Sequence, residues 1–253
     1  MFRDPFGDID SYAPDSEQYL AVPFVPTEEA AVEAMLALAG VGPGDLLYDL
    51  GSGDGRIVIA AARDRDARGV GVDIDPVRIA DAMEQAGWAG VERLVDFIEE
   101  DLFSVDVSPA TVVSLYLLQS INEQLRPRLL SQLRPGARIV SHAFDMGDWK
   151  ADERIKVGDA HIYKWIVPAA AAGAWEWARP DGQVYRVELE QTYQMVSGRA
   201  WLGGAQVPLL GAELCGDRLA LELQPGDDAP VDRVILTFAD GALKAAVEDQ
   251  ATG

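Results

Sequence analysis

The chain has 253 residues, 49% of them apolar, and a formal net charge of −21 at pH 7. The apolar content supports one large domain, or a medium domain with a small one, and excludes wholesale disorder. The acidity opposes nucleic acid and anionic membranes as partners and leaves basic proteins and cationic ligands, while a single cysteine, Cys215, excludes an intrachain disulfide framework and a cysteine-based zinc site; no metal is expected.

The first 21 residues are acidic and broken by prolines, and read as a loose arm. They lack the basic start and apolar stretch of a signal peptide, and no run in the chain reaches the ~18 apolar residues of a membrane span, so a cytoplasmic protein is expected. A helix follows, with Thr27 as its N-cap, Glu28 and Glu29 at its positive end, apolar residues at Val32, Met35, Leu36 and Ala39, and Gly40 as its stop. Strands and helices then alternate: strand 46–50, helix 56–67, strand 69–74, a helix capped by Asp75 with Pro76 in its first turn and ending at Gly87, strand 95–100, strand 111–118, helix 121–133 with Pro127 as a kink, and strand 137–144. Continuous apolar strands alternating with helices mean a parallel, doubly wound α/β sheet of the Rossmann-like kind. Segments 154–158 and 161–168 have no helix between them and read as an antiparallel hairpin closing that sheet.

The pattern changes at the small-residue linker "PAAAAGAW", residues 168–175. Segment 184–196 places Tyr185, Val187, Leu189, Tyr193 and Met195 on one face of a half-buried strand. Segment 218–223 alternates likewise, and Gly216-Asp217 and Asp240-Gly241 are hairpin turn signals. The expected organisation is an arm over 1–21, an α/β domain over 22–168 and a small all-β domain, barrel or sandwich, over 169–253.

The stretch "YDLGSGDGRIVIAAA" puts Gly51, Gly53 and Gly55 between a strand and a helix, at the carboxyl edge of the sheet, where a ligand meets a helix N-terminus. No lysine follows, which removes a Walker phosphate loop, and Arg56 stands outside the spacing of a dinucleotide turn. Asp49 and Asp54 would repel a pyrophosphate and suit a cationic ligand. S-adenosylmethionine has a sulfonium, an ammonium and no phosphate. Asp73 closes the second strand, where an acid accepts both ribose hydroxyls, and Asp101 follows the third, where an acid accepts from an adenine amine. Leu50, Ser52, Ile74 and Leu102 accompany these residues in the expected cofactor site.

The pattern in "DLGSGDG" resembles the first motif of the class I methyltransferases. "VPFVPTEEAAVEAML", the glycine turn and "ATVVSLYLL" through "LRPGARIVSHAFDMGDW" are similar to the small protein-lysine methyltransferases of archaea and mitochondria, over roughly residues 22–168. The resemblance implies a seven-stranded methyltransferase core, methyl transfer to a protein lysine, and Pro26 and Thr27 on the cofactor side. Phe24 stands where that group commonly has tyrosine.

On the acceptor side the strand ends offer Tyr116, His142 and Asp145 as catalytic candidates and Asn122 and Phe144 as substrate contacts, with Tyr116 also reaching the cofactor. Aromatic rings at Tyr116 and Phe144 hold a methylammonium by cation–π contact, or else pack the core. Trp149, Trp165, Trp175, Trp177 and Trp201 read as packing residues. Two other functions compete with lysine methylation: methyl transfer to a small molecule, and a catalytically idle cofactor-binding scaffold that uses its β-domain for a partner. The sequence leaves the oligomeric state open.

Overall fold

The computed structural model describes residues 26–226 and 229–248; the arm read over 1–21, and Phe24, lie outside them. Helix α1 (Glu29–Ala39) precedes a unit of β1 (Leu46–Leu50), α2 (Arg56–Arg65), β2 (Arg68–Asp73), α3 (Pro76–Ala89) and β3 (Val95–Glu99). Strand β4 (Val112–Leu115), α4 (Gln119–Gln132) and β5 (Arg138–His142) follow, then the hairpin β6 (Glu153–Val157) and β7 (Ala160–Ile166). The strands form one seven-stranded sheet in the order β3-β2-β1-β4-β5-β7-β6, with β7 antiparallel to both its neighbours. The order reverses between β1 and β4, where chain crossovers leave opposite faces and open a crevice at the carboxyl ends.

Successive side chains of each strand alternate between two cores. Leu47, Val112 and Val140 pack with α1 and α2, while Tyr48, Val113 and Ile139 pack with Leu125 and Leu129 of α4. The inner strands β1, β4 and β5 are covered on both faces, whereas edge strand β3 exposes Asp96 and Glu99.

Several boundaries differ from the sequence reading. Thr27 is not the cap of α1; Glu28 holds that place without a side-chain cap bond. Helix α3 runs through Gly87 and stops at Gly90, whose φ of 71° supplies the left-handed turn. Strand β4 ends at Leu115, so Tyr116, Leu117 and Leu118 leave the sheet and lead into α4. Pro127 lies inside α4, on its solvent side.

The C-terminal strands form two four-stranded antiparallel sheets: β8 (Gly173–Ala178), β9 (Val184–Thr192), β10 (Met195–Leu202) and β11 (Ala205–Val207) in one, and β12 (Leu209–Cys215), β13 (Arg218–Leu223), β14 (Asp232–Ala239) and β15 (Ala242–Glu248) in the other. Tyr185, Val187 and Leu189 of the first share a core with Leu219, Leu221, Val234, Leu236 and Phe238 of the second, so the domain is a sandwich. The segment read as one strand over 184–196 is a hairpin instead: Tyr193, at φ 55°, and Gln194 make its turn, and Met195 is exposed. Trp201 is not a core residue either; it lies on the outer face, 5.7 Å from the Arg186 guanidinium and 5.6 Å from that of Arg199.

Candidate functional site

The glycine turn links β1 to α2 at the sheet's carboxyl edge. Gly51, Gly53 and Gly55 all have positive φ, at 80°, 52° and 77°. At Gly55 a Cβ would also lie 2.7 Å from the Phe97 ring, and at Gly51 one would lie 2.9 Å from Leu117. The turn therefore needs glycine both for its backbone and for its packing. The amides of Gly51 and Ser52 donate to the carbonyl of Val72, which fixes the turn against the end of β2.

Asp73 has one carboxylate oxygen accepting from Gly53 N at 2.8 Å and the other from Asp75 N at 3.0 Å. A carboxylate has about four acceptor sites, so two such bonds hold the side chain in place and leave acceptor capacity for hydroxyls. Asp101 is exposed just beyond β3, its Oδ1 accepting from Phe103 N at 2.9 Å. Leu102 is half-buried beside it, and Ile74 is exposed next to Asp73.

Asp49 and Asp54, alike in the sequence, part company in three dimensions. Arg56 grips Asp54 with two nitrogens, at 2.9 and 2.5 Å, and its remaining arm donates to the Thr27 carbonyl at 2.8 Å. Hydrogen bonding and the guanidinium charge hold Asp54 below the usual carboxylate range although burial opposes them. Asp54 thus spends its charge within the chain and carries no argument for a cationic ligand, a correction to the sequence reading. Arg56, noted in the sequence only as a mismatch to a dinucleotide turn, instead ties the N-terminal segment to the turn; its position two residues after an acid was the available signal. Pro26 is exposed at the start of that segment and Thr27 is buried.

Asp49 is 2% exposed and accepts one bond, from the Ser114 hydroxyl at 2.7 Å. Burial pushes its carboxyl up to about 7, aided by Asp73 and Asp54 and opposed by Ser114. A buried carboxylate with no cation beside it among the described residues is the donor-poor surrounding that a ligand cation would complete. Together with the close-packed glycines and the acceptor capacity of Asp73, it fits S-adenosylmethionine.

Across the crevice, Tyr116 follows β4 and His142 ends β5, with ring centroids 4.3 Å apart. His142 is 8% exposed, and its Nδ1 is buried with no hydrogen-bond partner among the described residues. Burial lowers its pKa, a shift that Glu28 opposes, so the imidazole is neutral near pH 7. Ala143 takes a left-handed backbone, φ 67°, and turns the chain so that half-buried Phe144 and Asp145 follow directly. Asn122 is fully buried: its amide donates to Ser141 Oγ at 3.1 Å and to the carbonyls of Phe144 and Asp145, both at 3.3 Å. It fastens α4 to this loop rather than facing a substrate, because no part of it reaches solvent. The Oδ1 of Asp145 accepts from Gly147 N at 2.9 Å. Neighbouring Met146 and Trp149 are buried.

The sequence reading missed Tyr193 and Gln194, which approach this loop from the sandwich. Gln191, polar at a position where the alternation calls for an apolar residue, was the signal in the sequence.

The model of the ANTKMT methyltransferase domain family matches residues 49–153. A protein-lysine N-methyltransferase of Saccharolobus islandicus is 44% identical over 142 residues, spanning 56% of this chain and 88% of that protein. The adenine nucleotide translocase lysine N-methyltransferase of Mus musculus is 32% identical over 148 residues, 58% of this chain and 64% of that protein, so the match falls short of two thirds of the mouse protein's length. The crystal structure of an RNA methyltransferase from Salinibacter ruber in complex with S-adenosyl-L-homocysteine is 53% identical with a TM-score of 0.56, covering 56% of this chain and 94% of that one.

Proposed function

From the premise that this chain belongs to the class I S-adenosylmethionine-dependent methyltransferases of the protein-lysine group, we propose that it methylates lysine side chains on basic protein surfaces. S-adenosylmethionine would supply the methyl group, the amine nitrogen bonding in line to the methyl carbon as the carbon–sulfur bond breaks and S-adenosylhomocysteine leaves. Asp73 binds the ribose hydroxyls, Asp101 the adenine amine, and Asp49 stands beneath the turn as the counter-charge. The observation that carries this arrangement is the buried Asp49 carboxylate under a glycine turn, with no cation beside it among the described residues.

A lysine has a free pKa near 10.4 and must be neutral to act as nucleophile. Desolvation between Tyr116, His142 and Phe144 favours the neutral amine. The chain does not need a strong base if water takes the proton as the amine enters. Aligning the amine and keeping water out account for the remaining work of these residues.

The Salinibacter protein, by its title an RNA methyltransferase, favours a second reading. Charge weighs against it here. The chain carries 42 acidic residues against 21 lysines and arginines, whereas RNA binding draws its affinity from cations that displace counterions. The deciding experiment supplies tritiated S-adenosylmethionine to the purified protein with either a lysine-rich protein mixture or total RNA. Label in protein, located on lysine by mass spectrometry, is expected; label in RNA alone would overturn the proposal.

A further inference from the structure

We infer that the β-sandwich is a working part of the transferase, and that Tyr193 is a positioning residue holding the loop that carries the acceptor side. The inference rests on the lysine-methylation reading and extends it to a domain beyond residues 49–153, which the family model matches. The matches to the archaeal and Salinibacter proteins span 56% of this chain and 88 and 94% of the relatives, so they use most of each relative but little more than half of this chain.

The loop after β5 is gripped from two sides. From α4, Asn122 holds the carbonyls of Phe144 and Asp145, and Arg126 donates to the Met146 carbonyl and to Asp148, both at 2.5 Å. From the sandwich, Tyr193 stacks on Trp149 with centroids 5.7 Å apart and planes 18° from parallel, and its hydroxyl donates to the Asp148 carboxylate at 3.1 Å. The Arg126 guanidinium also lies 5.5 Å from the Tyr193 ring centre. Trp149 Nε1 donates to Gln194 Oε1 at 2.9 Å, and Gln194 Nε2 returns a bond to the Lys150 carbonyl at 2.8 Å. One hairpin tip thus engages Asp148, Trp149 and Lys150.

That tip cannot swing freely. The Gln191 side chain accepts from Ala171 N at 2.7 Å and donates to the carbonyls of Ala169 and Tyr193 at 2.9 and 2.6 Å, which locks the linker to the hairpin. Ala169 N also donates to the Gly216 carbonyl at 2.8 Å. The sandwich is therefore braced against its own linker while its tip presses the loop. His142, Phe144 and Asp145 lie just upstream of the gripped residues, so movement at Asp148 and Trp149 is transmitted to the acceptor side. The cofactor site draws on β1, β2 and β3 and lies outside this grip.

The test uses the full-length protein with Tyr193→Ala, Tyr193→Phe and Gln194→Ala. Each is assayed with a protein acceptor that the unsubstituted enzyme labels, for S-adenosylhomocysteine affinity by calorimetry, and for amide exchange across 143–149. Tyr193→Ala should lower kcat at least tenfold, leave S-adenosylhomocysteine affinity within twofold and speed exchange at Gly147. Tyr193→Phe keeps the stack and should restore most of kcat. A kcat for Tyr193→Ala within twofold of the parent, or affinity and kcat falling by the same factor, overturns the inference. Should Tyr193→Ala not fold, Gln194→Ala must lower kcat at least threefold, and an unchanged value is equally fatal. If the parent labels no protein, the lysine reading fails by itself, and exchange at 143–149 in Tyr193→Ala then decides the positioning claim.

Discussion

Asp49 shows what a single side chain reveals once its neighbours are known. Its native carboxyl titrates near 7, whereas the ordinary value of 3.8 applies in the unfolded chain. Between those values the native state binds the extra proton, so stability falls as pH rises and the loss is complete above the native pKa. Asn at 49 keeps an acceptor for the Ser114 hydroxyl and has nothing to ionise. Without ligand, Asp49→Asn should therefore melt higher than the parent at about pH 8, with the gap closing toward about pH 4. Thermal melts at the two pH values check this; an equal shift at both would mean that ionisation is not the cause. Asp54, five positions on, has no such liability because Arg56 neutralises it. The two acids have the same composition and different chemistry, and only the position of Arg56 separates them.

Among the elements, β1, β2, the Asp75-capped start of α3, β13 and the two hairpin turns were legible because each combines a periodic apolar pattern with a local stop signal. The failures share a cause. Strand β4 was read too long, since an apolar run does not show where hydrogen bonding to its neighbours ends. The β9–β10 hairpin was read as a single strand because its turn, Tyr193-Gln194, contains no glycine, proline, asparagine or aspartate. Tertiary contacts with Trp149 and Lys150 support that turn instead. Within the same hairpin, Gly198 pairs with Leu189 so closely that a Cβ there would lie 2.1 Å from the Glu188 carbonyl oxygen. Gly198→Ala should cost about 1–3 kcal/mol through overpacking and lower the melting temperature by several degrees. S-adenosylhomocysteine affinity, set at the other domain, should stay within twofold. Calorimetry reads both, and an unchanged melting temperature would contradict the strand register.

At the scale of the whole molecule, a charge of −21 attracts a basic acceptor over distances that salt shortens, the screening length being about 10 Å at 0.1 M ionic strength. The KM for a basic protein acceptor should rise as sodium chloride is increased to several hundred millimolar, with kcat nearly constant, because association weakens while the site is unchanged. Initial rates across a salt series check this, and a KM indifferent to salt would mean that the acid surface plays no part in recruitment. The α/β class, the glycine turn, the acids at the strand ends and the presence of a β-domain were all readable from residue order, because period and punctuation are local properties of the chain. Three facts were not readable: that Asp49 lacks a cationic partner among the described residues while Asp54 has one, that Asn122 is a buried fastener, and that Tyr193 packs on the loop after β5. Each depends on which side chain a distant segment brings within a few ångströms, and burial and partnership arise only when those segments pack.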